Sequence, residues 1–233
     1  MRTTVFLLVV LAGVCFAATL FEDDFDDGSA DGWTEYTTHP GSASYYVEEG
    51  WYHMEITPAN GLVFAFSGDE GASSWHMSVP DYTVLCRTRA FSNTQHVGIA
   101  ARWQEPYSNH NAYVLWLRYW PNLVSIYRHD GGANYEILAS APFTLGYDLD
   151  YCIRLDVYGD LIQGKVWQGD LSDEPEEFLV SVNDATYMEP GSIGMGCEGS
   201  GAELKHAAID WVIVTDSAYD LALFTWGGVK GSF

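Results

Sequence analysis

Short segments in which apolar and polar residues alternate recur along most of the chain, and clusters of Gly, Asn, Asp and Pro separate them. Alternation with a period of two is typical of β-strands buried on one face, and helical periodicity is nearly absent. The pattern predicts thirteen strands, at Leu20–Phe25, Tyr45–Val47, Trp51–Ile56, Leu62–Phe66, Tyr82–Phe91, Val97–Trp103, Ala112–Tyr119, Leu123–His129, Tyr135–Ser140, Tyr151–Tyr158, Leu161–Gln168, Ser192–Glu198 and Ala202–Val214.

So many short strands must close into a barrel or stack as two sheets. A single open sheet of this size would leave long edges and one apolar face in contact with water. We therefore predict an all-β fold, a two-sheet antiparallel jelly-roll sandwich, over residues 18–216.

The parity of the apolar positions predicts which side chains enter the core. In the segment 151–158, odd-numbered positions such as Ile153 and Leu155 are apolar, so they should point inward and Arg154 outward. The same parity predicts a single outward face that carries cations and aromatic rings: Arg102, Trp116, Arg118, Tyr127, Arg154, Gln163, Lys165 and Trp167.

Aromatic rings next to hydrogen-bond donors suit sugars, whose C–H faces are apolar and whose hydroxyl edges are polar. The candidate ligand-binding residues are Arg102, Trp116, Arg118, Tyr127, Lys165 and Trp167. The same residue types also fit an amphipathic face on which long side chains cover one another, and the sequence leaves both interpretations open.

The N-terminus has the features of a secretory signal peptide over residues 1–17. A basic Arg2 precedes an apolar run, and Ala17 supplies a small residue for cleavage. Cys15 follows Val14 rather than a small residue, which favours cleavage over lipidation. The apolar run is shorter than the roughly 20 residues of a membrane-spanning helix. We expect a protein that is secreted, extracellular or periplasmic, with no integral membrane segment in the mature chain.

Cleavage leaves three cysteines, Cys86, Cys152 and Cys197, in an oxidising compartment. At most one internal disulfide can form. Parity places Cys86 and Cys197 inward and Cys152 outward, so the pair Cys86–Cys197 is favoured.

Composition and charge narrow the function classes. The chain is 48% hydrophobic and 18% charged, which excludes disorder and a coiled coil. Its 32 acidic and 10 basic residues give a net charge of -22, which repels nucleic acid and excludes nucleic-acid binding. An acidic surface attracts divalent cations or basic partners, and it also keeps a secreted protein dispersed by self-repulsion.

The C-terminal residues 217–233 follow the last predicted strand and are too few for a domain. They contain several apolar side chains, among them Leu221, Phe224 and Trp226. Such a tail either folds back onto the sandwich or is a tag that a surface or export partner recognises.

A series of short motifs in chain order resembles the concanavalin A-like (laminin G-like) jelly-roll superfamily. The similarity is narrower to secreted bacterial domains grouped with 3-keto-disaccharide hydrolase and glycoside-hydrolase-16-like sequences. The motifs are Glu22-Asp23-Asp24-Phe25, Asp31-Gly32-Trp33, Pro80-Asp81-Tyr82, Gly98-Ile99-Ala100-Ala101-Arg102-Trp103, Asn111-Ala112-Tyr113, Gly191-Ser192-Ile193-Gly194-Met195 and Ile209-Asp210-Trp211. The resemblance covers residues 20–215. It implies a sandwich with a curved face that binds glycans in many relatives, and often a calcium ion where the first and last strands meet.

Calcium prefers carboxylate oxygens, and the first predicted strand supplies a run of acids from Glu22 to Asp27. By the resemblance, Asp24 and Asp210 occupy the acidic positions of the first and last strands. They are the candidate ligands of a structural Ca²⁺. A solvated acidic cluster is the alternative interpretation.

Glycoside hydrolysis requires two carboxylates across one bond. Active glycoside-hydrolase-16 enzymes present them as alternating acids on one strand, and the spacing of Asp148, Asp150 and Asp156 does not match that pattern. We therefore predict no catalytic residues and a secreted module that binds a glycan or another extracellular ligand. A glycoside-acting hydrolase of the 3-keto-disaccharide hydrolase type and a structural or adhesive surface protein remain alternatives.

Overall fold

The computed structural model describes residues 18–37, 43–56, 77–91, 94–104, 111–131, 134–199 and 203–216, together with the backbone of residues 61–67. The predicted signal peptide 1–17 and the tail 217–233 lie outside these residues. Within them, no helix is both long and apolar enough to cross a membrane.

Fifteen strands and one short 3-10 helix make up the described structure. The strands are β1 Thr19–Asp23, β2 Trp33–Thr37, β3 Ala43–Glu48, β4 Trp51–Ile56, β5 Gly61–Ser67, β6 Tyr82–Ala90, β7 His96–Gln104, β8 Asn111–Arg118, β9 Leu123–His129, β10 Tyr135–Pro142, β11 Asp150–Tyr158, β12 Leu161–Trp167, β13 Val180–Asn183, β14 Ser192–Gly199 and β15 Lys205–Thr215. The 3-10 helix is Leu171–Asp173.

The strands form two antiparallel sheets, which confirms the predicted all-β jelly-roll sandwich. The eight-stranded sheet has the order β13-β12-β11-β6-β15-β4-β3, and β1 pairs with β15 beside this path. The seven-stranded sheet has the order β10-β9-β8-β7-β14-β5-β2. The sequence analysis missed β2 and β13. Both are short strands at sheet edges, where one side faces no neighbour and the alternation is weak.

Parity correctly predicts the inward faces. Ile153 and Leu155 of the eight-stranded sheet and Leu115 and Leu117 of the seven-stranded sheet all lie in the main apolar core. The outward faces are also substantially buried, which parity does not show. Leu85, Cys152, Trp167, Leu171, Trp211 and Ile213 pack on the outer face of the eight-stranded sheet. Ala100, Trp103, Ala112, Val114, Trp116 and Tyr127 pack on that of the seven-stranded sheet.

All three described cysteines are buried and free, so the expected Cys86–Cys197 disulfide is not formed. Their inward and outward directions are as predicted, but Cys86 belongs to β6 and Cys197 to β14, on opposite sides of the core. Parity gives the direction of a side chain and not its distance from a partner. Burial raises the pKa of the Cys152 thiol to about 12, so this thiol stays protonated at neutral pH.

A buried network of charges ties a loop to the outer face of the eight-stranded sheet. Arg154, whose side chain is 2% exposed, donates to Asp156 at 2.7 Å and to Glu174 at 2.7 Å. Lys165 donates to the same Glu174 oxygen at 2.8 Å and to the carbonyl of Pro175 at 2.7 Å. These contacts hold the acidic loop 170–177 against the strands.

We predict that Arg154→Met destabilises the protein by about 3–5 kcal/mol, because the carboxylate of Asp156 then stays buried without its cation. Burial already raises the pKa of Asp156, so its charge depends on Arg154. Urea unfolding measures the loss. The control Arg89→Met breaks a more exposed pair with Asp150 and should cost about 1 kcal/mol or less. Equal losses in the two variants would contradict the assigned role of the network.

A second polar anchor holds the segment after β13 to the seven-stranded sheet. Asp184 accepts from Tyr113 at 2.6 Å, from the amide of Thr186 at 2.9 Å and from Arg128 at 2.5 Å. Burial alone would raise the pKa of this carboxyl. The hydrogen bonds outweigh burial and lower the pKa from 3.8 to about 2.

The lowered pKa of Asp184 makes part of the stability depend on pH. A carboxyl whose folded pKa lies below its unfolded pKa stabilises the fold above the unfolded value, and this contribution is lost as the pH falls from about 4 through the folded pKa of about 2. Asp184→Asn should therefore cost about 1–2 kcal/mol at pH 6 and much less below pH 2. Urea unfolding at several pH values checks this. Glu189→Gln, in the same segment, is the charge-matched control, and a pH-independent loss in Asp184→Asn would contradict the assignment.

Candidate functional site

The six predicted ligand-binding residues do not share one face. Trp116, Arg118 and Tyr127 lie on β8 and β9 of the seven-stranded sheet, whereas Lys165 and Trp167 lie on β12 of the eight-stranded sheet. The prediction of a single face is therefore wrong. Parity distinguishes inward from outward positions within a strand, but sheet membership depends on pairing between strands distant in sequence.

The polar groups of Lys165 and Trp167 are hydrogen-bonded to the loop that follows β12. Lys165 binds Glu174 and Pro175, and Trp167 Nε1 donates to the carbonyl of Asp170 at 2.8 Å. Both side chains are buried. Their aromatic and cationic character serves to fix this loop.

Arg102 is fully buried and joins three separate segments of the chain. Its Nε donates to Pro80 O at 2.7 Å, its Nη1 to Gly159 O at 2.8 Å and to Tyr187 O at 2.9 Å, and its Nη2 to Asp81 at 2.9 Å. The backbone has a left-handed φ of 49° at Arg102, inside an irregularity of the β7–β8 pairing, which departs from the regular alternation of the strand. This residue has a structural role.

The remaining three candidates belong to a group of side chains on the outer face of the seven-stranded sheet. We call its rings the aromatic cluster, which consists of His96, Trp116, Tyr127, His129 and Tyr135. The rings of Tyr127 and Tyr135 stack with centroids 5.1 Å apart, and those of His129 and Tyr135 are 6.1 Å apart. His96 lies 5.8 Å from Trp116. Strand register explains this, because Tyr135 of β10 pairs with His129 of β9, and Trp116 of β8 is opposite Gly98 of β7.

Glycines make room for the indole rings of this face. A Cβ at Gly98 would come within 2.8 Å of Cε3 of Trp116, and one at Gly194 within 2.6 Å of the ring of Trp103. Any side chain at these two positions would displace the rings. Gly98 of β7 and Gly194 of β14 therefore permit large rings to lie close to the sheet.

Polar groups border the aromatic cluster. His96 Nδ1 lies 2.8 Å from Glu198 Oε2, and since a carboxylate only accepts, this nitrogen carries the proton. The guanidinium of Arg118 lies over the ring of Tyr127, 5.6 Å from its centroid. Burial raises the pKa of Tyr127, so its hydroxyl is a neutral donor and acceptor. The face thus combines rings, a cation and a partly exposed carboxylate.

Exposure decides which ring a ligand can reach. Trp116 is 0% exposed and Tyr127 is 4% exposed, whereas Tyr135 is 58% exposed. The sequence analysis named the two buried rings and missed Tyr135, His96, His129 and Glu198. A signal for His96 was present, because it shares the outward parity of Gly98 and Ala100 in β7.

Of the candidate calcium ligands, Asp24 directly follows the end of β1 and Asp210 lies in β15, the strand that pairs with β1. Asp24 accepts from the amide of Asp26 at 3.2 Å, and Asp210 lies 3.3 Å from Arg87. Other acids of the first run are similarly engaged: Asp23 accepts from Trp33 Nε1 at 2.6 Å. Across the described residues, no group of three or more His, Cys, Asp or Glu side chains is arranged to hold a metal ion. The described carboxylates therefore do not by themselves provide a calcium site.

Comparison with known proteins finds likeness in structure only. Neither a scan against protein-family models nor a search of curated protein sequences finds a match. The carbohydrate binding module CBM66 from Bacillus subtilis has a TM-score of 0.57 at 14% identity, covering 76% of this chain and 91% of that one. SCLam, a non-specific endo-β-1,3(4)-glucanase from family GH16, has a TM-score of 0.60 at 12% identity, with coverage of 85% and 91%.

The exoplasmic/lumenal domain of VIP36, in its Ca²⁺/Man3GlcNAc-bound form, has a TM-score of 0.59 at 11% identity, covering 88% of this chain and 90% of that one. At such identities a likeness shows the fold alone. The chain therefore has the concanavalin A-like jelly-roll fold that its sequence motifs resemble.

Proposed function

We propose that the protein is a secreted carbohydrate-binding module whose glycan site is the outer face of the seven-stranded sheet, and that it catalyses no reaction. One observation carries the proposal. The ring of Tyr135 is exposed to solvent, and its contacts with the rings of Tyr127 and His129 hold it in place. A ring fixed in this way loses little conformational entropy when a sugar stacks on it.

The neighbouring polar groups suit the edges of a sugar ring. Glu198, whose side chain is 40% exposed, can accept hydrogen bonds from hydroxyls, and Arg118 can donate. An apolar surface bordered by a few polar groups is the usual composition of a site for small ligands. The structural neighbours include a carbohydrate binding module and a lumenal domain with bound Man3GlcNAc, which supports the same ligand class.

The geometry of the site favours binding over hydrolysis. Hydrolysis of a glycoside requires two carboxylates about 5–9.5 Å apart, one of which protonates the leaving oxygen. Glu198 contacts the cluster, but its Oε2 is held by His96. The spacing of acids typical of glycoside-hydrolase-16 enzymes is also absent from the sequence.

The proposal includes the expected organisation of the chain. Residues 1–17 are removed as a signal peptide, residues 18–216 form the module, and residues 217–233 either dock on it or act as a tag. Deletion of residues 217–233 distinguishes these two roles of the tail, because docking lowers the melting temperature and a tag alters retention at the cell surface.

For the glycan site, we predict that Tyr135→Ala weakens glycan binding by about 1 kcal/mol or more and leaves the melting temperature nearly unchanged. The variant removes the stacking surface, and it costs little stability because Tyr135 is 58% exposed and contributes mainly its contact with Tyr127 to the fold. A glycan-array screen of the mature protein identifies a binding glycan, and calorimetry with that glycan measures the change.

Two control variants accompany this experiment. Trp120→Ala removes an aromatic ring that is 78% exposed in the turn after β8, outside the aromatic cluster, and should not change binding. Trp167→Ala should lower stability, because the ring is buried on the other sheet, and should leave binding intact. If Trp167→Ala abolishes binding in a folded protein and Tyr135→Ala does not, the site lies on the eight-stranded sheet.

The resemblance implies that the protein binds a structural Ca²⁺, and this stays a prediction. If Ca²⁺ binds through Asp24 and Asp210, saturating calcium raises the melting temperature of the wild type and not that of Asp24→Asn. Asp210→Asn also breaks the contact with Arg87, so Arg87→Gln, which keeps both carboxylates, is its matched control. A melting temperature that a chelator does not change would contradict the site.

A further inference from the structure

Arg118 differs from every other arginine in the described part of the chain. The others each have a carboxylate within salt-bridge distance: Arg87 and Arg89 with Asp150, Arg102 with Asp81, Arg128 with Asp184, and Arg154 with Asp156. Among the described residues Arg118 has no such carboxylate, and it contacts the ring of Tyr127. Its Nε is buried without a hydrogen-bond partner, as is that of Arg87, but Arg87 is neutralised by Asp150 and Asp210.

The absence of a partner is unusual in so acidic a chain. Acidic residues outnumber basic ones by 32 to 10, so a carboxylate is readily available to a surface cation. A buried N–H without an acceptor lowers the stability of the fold, and it does so more strongly when the group is charged. The fold therefore keeps an unsatisfied donor beside the exposed rings of the proposed glycan site.

We propose that Arg118 binds an anionic group of the glycan, a carboxylate or a sulfate, so that the module recognises acidic polysaccharides. This inference rests on the proposed glycan site and names its substrate class. The planar guanidinium of arginine presents paired N–H groups that match the two oxygens of such an anion. Its contact with the ring of Tyr127 restricts the position of the guanidinium, which reduces the entropy lost on binding.

The register of the strands gives the site an elongated shape. Arg118 of β8 pairs with Leu123 at one end of β9, and Tyr135 of β10 pairs with His129 at the other end. Tyr127 lies between these two positions on β9. The ring of Tyr127 contacts both Tyr135 and Arg118, so a glycan that stacks on Tyr135 can place an acidic group of the same or an adjacent sugar unit at Arg118.

The acidic surroundings do not cancel this attraction. Glu198 is the nearby carboxylate, and it is paired with His96. Repulsion from the distant acids of the protein is screened beyond about 8 Å at physiological ionic strength, whereas a contact pair is screened much less. Because the chain as a whole is acidic, the binding of an anion depends on Arg118 more strongly than it would in a neutral protein.

The test compares polysaccharides that differ in charge and share a backbone. Polygalacturonate is compared with its methyl ester, which removes the carboxylate charge, and dextran sulfate with dextran. We expect the wild type to bind an anionic member at least tenfold more tightly than its neutral partner. The pair that shows the difference identifies the group as carboxylate or sulfate.

Variants locate the effect at Arg118. Arg118→Gln should reduce the affinity for the anionic polymer to that for the neutral one, and Arg118→Lys should keep only part of the preference. Arg89→Gln removes the same charge from the other sheet and should change nothing. The wild-type comparison of charged and neutral polymers needs no variant, so a poorly folding Arg118→Gln does not prevent a decision.

Two outcomes separate this inference from the function on which it rests. If the wild type binds neutral and anionic polymers equally well and Arg118→Gln keeps both affinities, the anion site is overturned and the proposed glycan site stands. If the wild type binds no polysaccharide of either kind, the proposed function fails, and the anion site fails with it.

Discussion

The structure depends on the packing of the two sheets through their inward side chains. Leu115 of β8 reaches across the core to β12, where a Cβ at Gly164 would lie only 2.5 Å from its Cδ1. Ile153 and Leu155 of the neighbouring β11 complete this apolar interior. Because apolar side chains fill the interior between the sheets, the polar chemistry of the chain must reside on the outer faces and in the loops.

The two outer faces meet this constraint in different ways. The eight-stranded sheet pairs its cations with acids, as Arg154 does with Asp156, and it is joined to the loop 170–177 through Glu174. Each arginine of this sheet has a carboxylate partner. The seven-stranded sheet instead carries rings over glycines, and Arg118 has no carboxylate partner among the described residues. The same alternation of side chains thus produces one face with internal ion pairs and another on which we propose ligand binding.

The features that sequence predicts here are local. Period-two alternation depends on adjacent residues, so the main strands and the inward direction of Tyr113 or Ile153 were predictable. The edge strands β2 and β13 were not, because their patterns are short. The prediction that Lys165 and Trp116 share one outward face was wrong, because sheet membership is decided by pairing between strands that are distant in sequence. The contact of Trp167 is local, since its partner Asp170 lies three residues further along the chain, but residue type does not show that a backbone carbonyl of this acidic loop accepts from the indole.

Burial explains why the site itself was only partly predictable. Residue type identified Trp116 and Tyr127 as sugar-stacking candidates, but both are buried and can only support another ring. Tyr135 can act as the contact surface because it stacks on Tyr127, so the predicted residues have an indirect role. Support of this kind fixes the position of the exposed ring and the plane of Arg118 together, since both contact Tyr127. One buried tyrosine therefore couples the apolar and the cationic halves of the proposed site, and a change at Tyr127 would disturb both recognition elements at once.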